Sequence, residues 1–117
     1  DIIFKTIQEA DDNVFFLIRF HPSTTQYERD EVLNKLSTLS NKNFEVEHST
    51  DLPLYTLFLN ASMHLAIVST AILEGLKFGI KTIAIGTRAK AYYGHVDDQN
   101  LLLFMDKPSD ILSEIKK

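Results

Sequence analysis

The sequence predicts an α/β fold, an open and mainly parallel five-stranded sheet with helices on both faces. Three observations lead there. Apolar runs recur at 14–18 and 101–105, and at 65–68 and 83–85 behind His64 and Lys81-Thr82, the pattern of strands buried on both sides. Between them, apolar residues fall at helical spacing. Helix-capping hydroxyls and acids, and the glycines and prolines that stop an element, stand at the joins. Strands and helices in alternation give parallel strands joined by right-handed crossovers.

Each element can be justified in order. Ile2, Ile3, Phe4, Ile7 and Ala10 share a helical face with no strand ahead of them. A chain that opens inside an amphipathic helix reads as a domain truncated at its N-terminus and excised from a larger protein. The run Val14 to Ile18 is a buried strand that leads into Arg19-Phe20-His21-Pro22, and Pro22 ends it because proline cannot donate to a ladder. Thr25 and Glu28 have capping-box spacing. The helix they open carries Val32, Leu33, Leu36 and Leu39 on one face. Phe44 to His48 alternates as an edge strand does.

Ser49-Thr50-Asp51 caps the next helix, with Pro53 in its first turn and Leu54, Leu57, Phe58 and Ala61 inward. His64 to Val68 is a buried strand. Ser69 and Thr70 then cap a helix with Ala71, Ile72, Gly75 and Leu76 inward, closed by Gly79. Lys81 to Ile85 is the fourth strand and Leu101 to Met105 the fifth. The loop between them, 86–100, is long for this class. Pro108-Ser109 opens a last helix on Ile111, Leu112 and Ile115. The 117 residues fit one domain, 1–117.

Composition narrows the function classes. No apolar run approaches the ~18–20 residues of a membrane span. There is no cysteine, so disulfides and zinc-thiolate sites are excluded. A formal net charge of −4 argues against a nucleic-acid partner, since such binding is driven by cations meeting phosphates. It leaves room for a small phosphorylated ligand held by a local group of donors. Neither a Walker loop nor a Gly-x-Gly-x-x-Gly motif occurs, and no cofactor or metal is expected. The Asp97-Asp98 pair reads better as a solvated loop than as a metal site.

In open parallel sheets ligands collect at the carboxyl ends of the strands. Here those ends carry Arg19 and His21, then His48, Ser49 and Thr50, then Ser69 and Thr70, then Gly86, Thr87 and Arg88. A helix start offers unpaired N–H groups and a positive dipole end, which suits phosphate. Ser69 and Thr70 add hydroxyls at such a start, and His21, Arg88 and Lys90 add charge. Structural readings stand beside these. Ser69 and Thr70 serve equally as N-caps, and His21 can bond a neighbouring backbone group. Glu74 suits the first turns of its helix in any case. His64 starts a strand at the end away from the site and reads as structural or solvated. Tyr92 and Tyr93 could stack on a base or a sugar, or cover the rim of the core.

The stretch Leu17-Ile18-Arg19-Phe20-His21-Pro22 resembles the strand ending in His-Pro of bacterial sialyltransferases and capsular polysaccharide transferases. The stretches 51–61 and 64–86 resemble the Rossmann-like, donor-binding C-terminal half of GT-B glycosyltransferases. The resemblance implies a domain that binds a CMP- or UDP-sugar for bacterial surface-polysaccharide synthesis. It implies that His21 is the catalytic contact to the donor phosphate and that Ser69 and Thr70 hold phosphate. Glu74 would accept from the ribose hydroxyls, Ser49 and Thr50 would lie near the base, and Arg88 would join the binding group. Donors of this kind stabilise charge on the leaving phosphate.

The family's general base normally belongs to an N-terminal acceptor domain, which these residues do not include. The fragment is therefore expected to be inactive alone. The parent is expected to be cytoplasmic, at most peripheral to the inner membrane face. Lys81 stands where the family usually has proline, and Gly75 where it usually has alanine. A UDP-N-acetylhexosamine epimerase half is the alternative within this ligand class. A non-catalytic α/β regulatory module is a third reading, disfavoured because the first strand ends in His21 and the next two in His48 and Val68, where a phospho-receiver needs an aspartate at the end of a central strand.

Overall fold

A computed structural model of the protein describes residues 2–39, 43–67, 71–86 and 101–117. In chain order its elements are α1 (Ile2–Glu9), β1 (Phe15–Leu17), α2 (Gln26–Leu36), β2 (Asn43–Glu45), α3 (Glu47–Asp51), α4 (Leu54–Asn60), β3 (Met63–Ala66), α5 (Ala71–Lys77), β4 (Lys81–Ile85), β5 (Leu102–Met105) and α6 (Pro108–Ile115). The class is the expected one, mixed α/β with every pairing parallel. The single five-stranded sheet is replaced by two smaller ones among the described residues. One has the order β1-β2 and the other β3-β4-β5.

The three-stranded sheet holds the core. On one face Met63, Leu65, Ile83, Ile85, Leu103 and Met105 meet Ile2 and Ile3 of α1 and Ile111 and Ile115 of α6. On the other, Ala66, Ala84, Leu102 and Phe104 meet Ile72 and Leu76 of α5. Helices therefore cover both faces, and β4 in the middle carries Ile83 at 0% exposure. This is the environment that an uninterrupted apolar run requires. Lys81 at the start of β4 donates to Glu114 Oε2 of α6 at 2.6 Å. That contact and a second cation, Lys117, hold the Glu114 carboxyl below the usual carboxylate range.

The two-stranded sheet is thinner. Phe16 pairs with Phe44, and the N–H of Ile18 donates to Glu45 O at 2.9 Å. Phe15 and Leu17 remain 60% and 40% exposed, although the run 14–18 is as apolar as any in the chain. Helix α2 begins at the predicted capping box. Thr25 Oγ1 accepts from the Glu28 N–H, and Glu28 accepts from the Thr25 N–H. Its predicted inward face is covered only in part, with Leu36 buried and Val32 and Leu33 exposed.

Boundaries differ most after Phe44. The predicted strand 44–48 stops at Glu45, and a short helix starts two residues later. The reason is the Glu45 side chain, whose oxygens accept from the N–H groups of His48 (2.6 Å) and Ser49 (2.8 Å). These are donors that a helix start leaves free. Ser49, Thr50 and Asp51 thus lie inside α3 and do not cap α4, whose N-cap is Pro53. Strand β3 ends at Ala66, two residues before the predicted end. Strand β4 matches its predicted bounds, and Gly79 closes the turn before it with a φ of 74°, as a C-terminal glycine should.

Candidate functional site

The described polar residues at the carboxyl ends of β1 and β2 are drawn together by one short helix. A five-residue helix is too short to hold itself, since nucleation is unfavourable and few bonds repay it. Here both ends of α3 are tied. At its amino end Glu45 accepts from two backbone N–H groups and from Ser49 Oγ at 2.5 Å. The Ser49 hydroxyl bond is the main cause that holds the Glu45 carboxyl below its ordinary range, with the backbone donors adding to it. At its carboxyl end Arg19 Nη1 donates to Ser49 O at 2.9 Å and to Leu52 O. An acid at the amino end and a base at the carboxyl end both complement the helix dipole.

The segment that follows β1 is fixed by the same contacts. The Phe20 N–H donates to Thr50 Oγ1 at 3.3 Å, and Arg29 of α2 lies 5.4 Å from the centre of the Phe20 ring. Beyond it, His21 Nδ1 accepts from the Ser23 N–H at 3.0 Å and lies 2.6 Å from Ser23 Oγ. A neutral imidazole that accepts at Nδ1 carries its proton on Nε2. His21 is exposed, so that N–H is a donor available to solvent or ligand.

A cleft of about 260 Å³ opens beside α3. Leu17, Leu52 and Leu57 give it an apolar wall, and Glu45, His48 and Asn60 also line it, though the surface it exposes is almost wholly apolar. It lies where β1 and β2 end, the position expected of a ligand site in a parallel sheet.

The predicted residues fare differently. His21 is exposed and tied to Ser23 by the kind of local backbone bond that its structural reading anticipated. Ser49 is 1% exposed, and its hydroxyl is engaged by Glu45, so in this arrangement it has no donor to offer a ligand. Thr50 is half-buried and accepts from Phe20. Glu74 is exposed in the first turn of α5. Ser69, Thr70 and Arg88 lie outside the described residues, as do Thr87, Lys90, Tyr92, Tyr93, His95, Asp97 and Asp98. Among the described residues no cluster of acids and histidines is arranged to hold a metal ion. No described helix is long and apolar enough to cross a membrane.

His64 sits in β3, packed edge-on against Phe58 of α4 with ring centroids 5.0 Å apart. Its Nδ1 is buried with no hydrogen-bond partner among the described residues. Burial pushes its pKa down to about 4. Gly75 leaves the space for this ring, since a Cβ there would lie 2.8 Å from His64 Nδ1 and 3.0 Å from Thr82 Oγ1.

The sequence reading missed the tie between Arg19 and α3. The available signal was an arginine placed directly after an apolar strand, where its long side chain can reach an adjacent helix end. It also missed Glu45 as the cap of α3. Comparison with protein-family models, curated proteins and solved structures gives no match.

Proposed function

We propose that the chain is the donor-binding, Rossmann-like domain of a glycosyltransferase that takes a CMP- or UDP-sugar and works in the cytoplasm beside an acceptor-binding domain. One observation carries most weight. Arg19 and Phe20, just ahead of His21, are bonded to α3, so two strand-end segments separated by about thirty residues share one edge beside a cleft. His21, the residue after Phe20, supplies an exposed N–H donor suited to a phosphate oxygen. The apolar wall of Leu17, Leu52 and Leu57 suits the flat face of a base. In this reading the chain binds and orients the donor, and His21 stabilises charge on the departing phosphate.

Titrating CMP and UDP into the ¹⁵N-labelled chain tests the reading. Shifts are expected at His21, His48 and Glu74, with micromolar to millimolar affinity. His21→Ala should weaken binding about tenfold, the loss of roughly one charge-assisted hydrogen bond. Absence of any shift at those residues with either nucleotide would reject the nucleotide reading.

A further inference from the structure

We propose that Ser23 is a positioning residue, which holds the His21 ring in one orientation and in the Nε2–H tautomer, so that a single aimed N–H donor is presented to a ligand. The proposal rests on the nucleotide reading only for what that donor grips.

The local chain explains why His21 needs such a partner. The N–H of Thr24 donates to His21 O at 2.9 Å and closes a turn of four residues. Pro22 stands at the second position of that turn, where its fixed φ suits the bend. Both flanks are anchored. Ahead of the turn the Phe20 N–H donates to Thr50 Oγ1, and behind it Thr25 caps α2. The backbone at His21 is therefore set. The freedom left is that of an exposed side chain, namely its torsions and its choice of tautomer.

Residue 23 removes that freedom. Its N–H and its hydroxyl both reach His21 Nδ1, at 3.0 and 2.6 Å. A backbone N–H can only donate, so Nδ1 is a bare acceptor. The hydroxyl then meets it as a second donor, and the ring proton sits on Nε2. The opposite tautomer would set an N–H against both donors. A half-turn of the ring would put Cδ2 where Nδ1 stands and lose both bonds. The backbone donor persists under most substitutions at position 23, whereas the hydroxyl, the shorter contact, is what serine itself adds. A donor fixed in this way binds better than a free one, because apparent affinity falls with the fraction of time the competent arrangement is populated.

The test reads the His21 ring nitrogens in the ¹⁵N-labelled chain without nucleotide, at about pH 8.5, where an ordinary imidazole is neutral. The wild type should show one bare and one protonated nitrogen, with the proton on Nε2. Ser23→Ala should draw the two resonances together as tautomers exchange, and Ser23→Thr, which keeps a hydroxyl, should restore their separation. CMP and UDP are then titrated into all three proteins. Ser23→Ala should weaken binding about fivefold, as expected if the competent arrangement falls to about a fifth of the population, and Ser23→Thr should bind as the wild type does. A wild-type proton on Nδ1, or ring nitrogens that Ser23→Ala leaves unmoved, would overturn the proposal. So would an unchanged affinity in that variant. The amides of α2 should keep their shifts in Ser23→Ala, and movement there would assign the effect to the helix and overturn the proposal as well. If neither nucleotide binds the wild type, the nucleotide reading fails and the ring nitrogens alone decide the role of Ser23.

Discussion

The strand run 14–18 is wholly apolar and the run 81–85 opens on Lys81 and Thr82, yet it is the less apolar run that is buried. In β4, Ile83 and Ala84 are fully buried between helices on the two faces of the sheet. In β1, Phe15 and Leu17 face solvent. Hydrophobicity of the run therefore does not decide burial. What decides it is the number of neighbours, since among the described residues β4 has a strand on each side and β1 has one. The two-stranded region relies instead on specific polar ties, namely the capping box of α2, the Glu45 and Arg19 contacts to α3, and Asn43 Nδ2 donating to Asp12 O.

The largest test of this contrast is truncation at matched positions. Ile83→Ala should cost about 3–4 kcal/mol, because it removes a fully buried side chain from a site that cannot collapse freely. Phe15→Ala in the same chain should cost under about 1 kcal/mol, despite removing more atoms. Urea midpoints measure both, and equal costs would break the comparison.

A second test uses acid. The His64 pKa is about 4 in the folded chain, against about 6.5 when unfolded. The unfolded state therefore binds the extra proton first as pH falls. This contribution is fully present above pH ~6.5, declines as pH drops, and is lost below ~4. Its size is on the order of 3 kcal/mol, from about 1.4 kcal/mol per pKa unit. Urea unfolding at pH 7.5, 5.5 and 4 should show the decline, and His64→Leu should flatten it. A wild-type chain with the same stability at pH 7.5 and 4 would show that the imidazole is solvated.

The smallest effect sharpens the same corner. Gly75→Ala gains about 1 kcal/mol of helix propensity but crowds His64 and Thr82, for a net loss of about 1 kcal/mol. In the His64→Ala background the same change should become neutral or stabilising. A double-mutant cycle with no coupling would place the cause elsewhere.

The legible parts of the fold were those governed by neighbours in sequence. The bounds of β4, the Thr25–Glu28 box, the Gly79 turn and the inward Ile72 and Ile111 all follow from periodicity and local capping. Helix α3 was not legible, because its termini are held by Glu45, which reads as part of a strand, and by Arg19, thirty residues from Ser49. The division into two sheets was hidden for a similar reason, since periodicity says which residues want cover and not which strand provides it. At the candidate site, only the nearness of His21 and Ser49 to the ends of β1 and β2 was legible, since Ser49 lies inside α3. Their partners, Ser23 and Glu45, were not, because a hydroxyl can bond backbone, side chain or ligand with equal ease.

The helix held by Glu45 and Arg19 makes local order there a property of two distant signatures rather than of five residues. Cut out as a peptide, 47–51 would be coil. A substitution at position 19 would be felt first at Ser49 and Leu52, and only afterwards in the strand that carries it.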